Sequence, residues 1–303
     1  MPFKITILGC GAATPTVHRN PSAQVVQCEN RSFLVDCGEG TQMQMLRFGV
    51  SMSKIDTIFI SHLHGDHYLG LPGLISSMHL AGRKTRLKII GPKDLQEIIL
   101  HQFKLTDMHP QFDLEFFSTS DHPLELIYDD QLLEVRTFPL KHRIFCTGFL
   151  FREKPKPRII NSKAVKALGI PDEKIKSIKY GSDYIDREGN IHSHLSLTFP
   201  PKHSHAYAYC SDTAFFRDLT DWIQGVDVLY HEATFASDKS DRATETFHST
   251  AEQAAMQAHQ AKVGKLILGH FSSRYKSLEK LREEARNIFE STELAEDGMT
   301  FCT

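Results

Sequence analysis

The amino-acid sequence predicts an α/β layered fold, in which rigid sheets carry reactive side chains on the loops at their strand ends. Three observations support that class. Strand-like apolar runs recur along the chain, each breaks off into polar or glycine-rich residues, and an alanine-rich helical segment lies between two of them. With 303 residues and 41% hydrophobic content the chain can bury a full core, which excludes disordered and collagen-like classes.

Taken in order, "KITILG" (4–9) runs into "CGAATP", "SFLVD" (32–36) into "CGEGT", and "DTIFI" (56–60) into "SHLHGDH". Further on, "VDVLY" (226–230) runs into "HEATF" and "KLILG" (265–269) into "HFSSRY". The β-branched and aromatic content of these runs favours strand. Residues that end such a strand sit on loops held by a sheet, so each tip is a candidate site wall. The helix is expected to open at a capping box, Ser249-Thr250-Ala251-Glu252, to run through "AEQAAMQAHQAKV", and to stop just before Gly264. His259 within it reads as a helix-surface residue.

Six cysteines lie far apart with no C-x-x-C pair, so free, mostly buried thiols are expected. The N-terminal "MPFKITILGCGAATP" has neither an arginine-rich nor a long apolar segment, and the chain is expected to be cytoplasmic with no membrane partner. The net charge of −2 hides an asymmetry. Between Arg152 and Lys179, nine Lys/Arg face three acids, a surplus of six, which leaves −8 on the remaining chain. A basic segment on an acidic body points to a polyanion contact made by that segment, against the plainer reading of a solvated charged face. Residues 152–206, bordered by Pro155/Pro157 and Pro200/Pro201, read as an insertion with a short helix near 162–168.

The stretch Ser61-His62-Leu63-His64-Gly65-Asp66-His67 carries the chemistry. Neutral imidazoles and carboxylates suit borderline divalent ions such as zinc, at about 2.0–2.2 Å. Four such groups in six residues exceed what one tetrahedral site draws from a single loop, so two adjacent ions are expected. Gly65 is then expected to turn the backbone, so that His62/His64 and Asp66/His67 address different ions. Two ions about 3.5–4 Å apart can clamp a phosphodiester attacked in line and acidify a water at neutral pH. Asp36 in "VDCGEGT" is expected to hydrogen-bond the metal loop from behind.

"SHLHGDHYLG" resembles the signature of the metallo-β-lactamase superfamily. "LGCGAATPTVHRN", "FLVDCGEGTQMQML", "PLKHR", "AYCSDT", "YHEATF", "FHSTAEQAA" and "LGHFSSRY" follow in order over nearly the whole chain, and they narrow the resemblance to the ribonuclease Z family of tRNA 3′-processing endonucleases. That resemblance implies one αββα sandwich over residues 1–303, with residues 152–206 as a protruding basic exosite arm. It implies two zinc ions, with manganese as a substitute: His62, His64 and His142 on one, Asp66, His67 and His270 on the other, and Asp212 bridging both. The implied reaction removes the 3′ trailer from precursor tRNA near the discriminator base and leaves a 3′-hydroxyl on the tRNA.

In the implied mechanism Asp66 also accepts the proton of the attacking water. His248 of "FHST" protonates the leaving 3′ oxygen, and Glu232 of "HEATF" orients it. Ser272, Arg274 and Tyr275 of "HFSSRY" suit a phosphate beside the cut. Lys154, Lys156, Arg158, Lys163 and Lys166 of the arm suit the tRNA backbone. Members commonly pair as homodimers. The arm departs from the family's Gly/Pro-rich turn, of which only "LGIP" (168–171) is present. The alternative is another hydrolase of the superfamily acting on a small ester, thioester or lactam, which needs no basic arm. A non-catalytic RNA-binding relative is disfavoured because all seven implied ligands are present.

Overall fold

A computed structural model describes residues 3–303 of the chain. Two compact units emerge: the first comprises residues up to Asp130, Glu134–Phe151 and His205–Thr303, and the second Gln131–Leu133 with Arg152–Ser204. The second unit begins where the sequence places the arm and ends two residues earlier. It also takes in Gln131–Leu133, because the Leu132 carbonyl accepts the Lys154 N–H (2.8 Å).

Two seven-stranded sheets organise the fold. In chain order their strands are β1 Lys4–Gly9, β2 Ala23–Cys28, β3 Arg31–Val35, β4 Thr57–Phe59, β5 Leu87–Gly91, β6 Leu114–Ser118 and β7 Glu125–Asp129. There follow β8 Leu133–Pro139, β9 Thr147–Glu153, β10 Ala206–Cys210, β11 Val228–Glu232, β12 Lys265–Gly269, β13 Thr292–Leu294 and β14 Thr300–Cys302. One sheet runs β14-β1-β2-β3-β4-β5-β6 and the other β13-β12-β11-β10-β9-β8-β7. In the first, β3 to β6 are parallel, and in the second, β10 to β13 are. Parallel strands covered on both faces read as continuous apolar runs, which is why "TIF" and "KLIL" show no alternation. The five strand-type runs of the sequence fall on β1, β3, β4, β11 and β12.

Between the sheets lies an aromatic layer. Phe59 packs on Phe149 and Phe151 with ring centroids 5.3 and 5.5 Å apart, and Phe33 lies 5.6 Å from Phe151. All four rings are buried, each contributing about 1.5–3 kcal/mol.

The main helices are α1 Thr41–Arg47, α2 Gly65–Tyr68, α3 Leu71–Leu80, α4 Leu95–Leu105, α5 Ser162–Ala167, α6 Asp172–Lys179, α7 Ser240–Thr246, α8 Ala251–Gln260 and α9 Glu279–Arg286. Leu95, Ile99 and Phe103 form the apolar stripe of α4, and they join Met45, Leu74, Leu34 and Ile58 in a core on the first sheet. α8 packs on β11 and β12 of the second sheet. The layers are therefore helix, sheet, sheet, helix.

The cap of α8 differs from expectation by one residue. Thr250 is the N-cap, accepting from Gln253 N, while the Gln253 side chain returns a bond to Thr250 N. Ser249 is occupied elsewhere, donating its hydroxyl to the Thr213 carbonyl (2.7 Å). At the other end Lys262, not Gly264, takes the left-handed conformation that follows the helix (φ 52°). Five cysteines are buried and all six are free.

The second unit has its own small core of Val165, Ile170, Ile178 and Leu197. It holds α5, at the place of the expected short helix, together with α6 and two small antiparallel pairs, Ile159–Ile160 with Thr198–Phe199 and Tyr184–Ile185 with Ile191–His192.

Candidate metal centre and active site

The chemistry-type residues of the first unit gather at the carboxyl ends of its strands. His62 and His64 follow β4, and Asp66 and His67 lie on α2. His142 follows β8, Asp212 follows β10, Glu232 ends β11 and His270 follows β12. Gly65 departs from expectation: it opens α2 with ordinary helical backbone, and its missing Cβ leaves room for Leu69 Cδ1, 2.8 Å from where a Cβ would stand.

Two donor groups form. In one, His64 Nδ1 lies 3.0 Å from His62 Nε2 and 3.1 Å from His142 Nε2, with Asp212 Oδ2 3.5 and 3.7 Å from those two Nε2 atoms. In the other, His67 Nε2 lies 3.3 Å from His270 Nε2 and 3.4 Å from Asp66 Oδ2. Asp212 Oδ1 lies 3.3 and 3.1 Å from the same two histidine nitrogens. Four donors about 2.0–2.1 Å from a tetrahedral ion are separated by edges of about 3.3–3.4 Å, so both groups have the span of a zinc-type site. The two oxygens of Asp212 point one into each group.

The remaining ring nitrogens explain why lone pairs converge. His67 Nδ1 donates to Asp36 Oδ2 (2.7 Å) and His142 Nδ1 to the Phe247 carbonyl (3.1 Å), which leaves both Nε2 atoms bare. Ser61 Oγ donates to Asp36 Oδ2 (2.9 Å) and so accepts from His62 Nδ1 (3.0 Å), baring a third Nε2. Asp36 also accepts from Ser61 N (2.8 Å) and from the Tyr209 hydroxyl (2.7 Å), the latter a bond from the other sheet. Bare nitrogens facing one another at this range cannot satisfy each other; a cation can.

Electrostatics agree. Burial pushes His62, His64 and His142 down, the last two to about 4, so all three are neutral imidazoles at pH 7. Around His67, burial is outweighed by Asp212, Asp66 and Asp36, which raise its pKa well above the usual range, so the position at Nε2 is held either by a proton or by a cation in its place. That end of the site favours positive charge.

Beside the donor groups stands a carboxylate–imidazole pair. Glu232 Oε1 accepts from His248 Nδ1 at 2.8 Å, a proximity no spacing in the sequence reveals. Glu232 is fully buried, and it also accepts from Thr213 N, Ser249 N and Thr234 N and from the Thr234 hydroxyl. Burial works against a charged His248, and Glu232 overcomes it, raising the pKa to about 9. His231 turns its Nδ1 to the Glu232 carbonyl (2.7 Å) and belongs to neither donor group.

A cavity of about 580 Å³ opens onto these groups, lined among others by His64, Asp66, Asp212, His248 and His270. Ser272 and Arg274 line it too, with Arg274 Nε donating to Ser272 Oγ and the guanidinium stacked 5.1 Å over the Phe235 ring. Tyr275 does not line it; its hydroxyl accepts from Ala236 N (2.9 Å). Lys156 pairs with Glu153 (2.5 Å), Arg158 donates to Thr198 Oγ1 (2.6 Å), and Lys163 and Lys166 are exposed on α5. The Lys154 N–H is used on Leu132.

Several contributors escaped the sequence reading. Thr234 Oγ1 lies 2.7 Å from Glu232 Oε2 and 3.0 Å from His270 Nδ1, linking the acid pair to a donor group. Ala13 N donates to Asp66 Oδ2 (2.7 Å), and Arg143 and Arg242 line the cavity. The sequence signal for Thr234 was its place two residues after Glu232, a spacing that lets a hydroxyl close on that carboxylate. Four residues with left-handed backbone, Ala13, Asp36, Phe247 and His270, all belong to this region.

Comparison with known proteins accords with the geometry. A family profile described as the beta-lactamase superfamily domain matches residues 174–271, and another, described as anti-Pycsar protein Apyc1, matches residues 3–136. A protein named ribonuclease Z from Parabacteroides distasonis is 43% identical over 98% of both chains. Another of that name, from Cytophaga hutchinsonii, is 45% identical over 99% of this chain and 96% of its own. Among solved structures, the short form of human tRNase Z superposes with a TM-score of 0.72 at 28% identity, covering 98% of each chain. A metallo-β-lactamase fold protein from Bacillus subtilis gives 0.71 at 18% identity over 100% of both, a likeness of fold. Identity at this level over nearly the full length, on this fold, establishes that the chain belongs to the ribonuclease Z family.

Proposed function

We propose that this protein is a metal-dependent endoribonuclease that removes the 3′ trailer from precursor tRNA, leaving a 3′-hydroxyl on the tRNA. The observation that carries the reading is the pair of donor groups sharing Asp212, with His248 on Glu232 beside them. His62, His64 and His142 would hold one ion, Asp66, His67 and His270 the other, and Asp212 both. The imidazole-rich donor set favours zinc, with manganese as the substitute. When bound, the ions would polarise the phosphodiester and lower the pKa of a water.

The chain's own groups do the rest. Asp66 Oδ2 is fixed by Ala13 N and the neighbouring imidazoles, and it orients the attacking water as a hydrogen-bond acceptor. His67 and His270 hold its pKa well below the usual carboxylate range against the opposing effect of burial, so it retains a proton poorly. His248, charged at pH 7, donates from Nε2 to the departing ribose 3′ oxygen, and Glu232 keeps Nδ1 engaged. Arg274 is placed to meet a phosphate next to the cut.

The second unit supplies tRNA contacts in this reading. Lys163 and Lys166 are the exposed cations on α5, and Lys154, Lys156 and Arg158 line the approach to it in sequence. A homodimer belongs to the reading as well, supported by exposed Met43 and Leu46 on α1, Leu69, and Leu80 on α3, two helices in mutual contact. So does a cytoplasmic location, supported by six free thiols. Among the described residues no helix is long and apolar enough to cross a membrane.

The test is to incubate zinc-loaded protein with a 3′-extended precursor tRNA and map the cut at nucleotide resolution beside an Asp66→Ala control. One cut next to the discriminator base, lost in the control, is expected. An intact precursor at full metal occupancy would sink the reading.

A further inference from the structure

Phe247 stands in the left-handed region at φ 58° and ψ 47°, where any side chain with a Cβ is strained. The turn itself has clear work. It ends α7, presents the Phe247 carbonyl to His142 Nδ1, and lets His248 N close on the Ala243 carbonyl (2.8 Å), which leaves the His248 ring facing Glu232. Glycine would make that turn with less strain. The phenyl ring is not needed to hold it. The side chain is 42% exposed, and among the described residues no aromatic ring or cation packs against it.

Two more half-exposed phenylalanines sit on adjoining loops, Phe145 three residues after His142 and Phe215 three after Asp212, at 42% and 36% exposure. Lys141 N donates to Thr213 Oγ1, Ala214 N to the Lys141 carbonyl, and Ser249 Oγ to the Thr213 carbonyl, which ties the three loops together. Thr246 and His248, on either side of Phe247, line the cavity, as does Arg143. The three rings stand outside the cavity lining, on loops whose neighbouring residues, Arg143, Thr246 and His248 among them, do line it. Exposed rings on loops that border a cationic cleft suit the flat faces and charged backbone of single-stranded nucleic acid. One stacked base is worth about 5- to 100-fold in affinity.

We propose that Phe247 is a stacking platform for one unpaired base of the RNA beside the scissile phosphate. The left-handed backbone of Phe247 sets its exposed ring one residue from His248, outside the cavity lining, and so ties recognition of that base to the group that protonates the leaving oxygen. The proposal rests on the RNA-cutting function and adds to it a residue that grips the substrate strand through a base face.

The test uses the full-length, zinc-loaded protein and three variants. Phe247→Gly removes strain and ring, Phe247→Leu keeps an apolar side chain without a ring face, and Phe247→Tyr keeps the ring. Precursor tRNAs carrying 2-aminopurine at single positions on either side of the cut report stacking by quenching. Gly and Leu are expected to raise KM about 5- to 20-fold with kcat within about twofold, and Tyr to restore KM. The Gly variant is expected to keep or raise Tm. Quenching at one position should vanish in Gly and Leu and return in Tyr. An unchanged KM in both Gly and Leu overturns the proposal. So does a fall in kcat and zinc content that Tyr fails to restore, since that assigns the residue to the turn alone. If wild-type protein leaves RNA uncut, the enzymatic reading fails by itself; quenching in the bound, uncut complex then decides the platform, its absence overturning it.

Discussion

Asp212 and Lys163 both carry a full charge, in opposite surroundings. Asp212 is buried, and four histidine nitrogens surround its two oxygens within 3.7 Å. Lys163 is exposed on α5 and forms no ion pair among the described residues. A buried charge with so many partners is fixed to a fraction of an ångström, and its removal strands every neighbour. A solvated charge is placed loosely and acts over a Debye length, about 8 Å at physiological salt. The first unit thus concentrates fixed charge at one point, whereas the second carries its charge solvated on a helix surface.

The largest effect that could break this contrast lies at Asp212. Asp212→Ala should cut turnover by about 10³-fold or more and lower zinc content by elemental analysis, because both donor groups lose a member. Full zinc with intact turnover would dissolve the contrast. Next comes His248→Ala, expected to lower kcat on RNA about 10²- to 10⁴-fold at unchanged zinc content. With a nitrophenyl phosphodiester, whose leaving group needs no proton, the loss should be far smaller; equal losses would remove His248 from the acid role.

On the solvated side, Lys163→Ala combined with Lys166→Ala should raise KM for precursor tRNA a few-fold and flatten its salt dependence. The slope of log affinity on log salt should fall by about 1.4–1.8 for two phosphates released. An unchanged slope would assign the surplus charge to solvation alone.

The smallest effect sharpens the contrast from within the first unit. Burial raises the pKa of Asp56, whose Oδ1 has no hydrogen-bond partner, with Thr57 and nearby cations opposing in part. A carboxyl with a raised folded-state pKa is tolerated when protonated, so its cost is absent below the unfolded value and appears as pH rises through the folded one. Asp56→Asn should therefore raise Tm at pH 7 by no more than about 2 °C and leave it unchanged near pH 3. A gain of equal size at both pH values would exclude ionisation as its cause.

The metal loop was legible in the sequence because six consecutive residues carry four of the seven donors, two for each group, and local spacing suffices for that. The strand runs were legible because both faces are buried and apolar. His142 and the touch between Glu232 and His248 were not: His142 meets His64 across 78 residues of chain, and His248 returns to Glu232 only by the path of the loop and α7 between them; only the family resemblance supplied both. Gly65 misled because a glycine in a ligand loop suggests a left-handed turn, whereas it opens α2 with no positive φ and with only the Leu69 side chain close to it. The cap of α8 slipped by one residue because Ser249 and Thr250 both qualify, and a long-range bond to Thr213 decides between them. Phe247 was invisible because backbone hand at a non-glycine residue leaves no pattern in a single chain, whereas Thr234 had a local signal, its spacing from Glu232, that went unread.

The bond from Tyr209 to Asp36 spans 173 residues of chain and joins the two sheets behind the metal loop. On a ribosome adding roughly 5–20 residues per second, Asp36 and its loop emerge some 10–35 s before the tyrosine that locks them. Throughout that interval the early histidines have neither Asp212 nor His270 to complete a donor set. The order of synthesis therefore leaves both donor groups short of Asp212, and one of them short of His270 as well, until the last strands have docked.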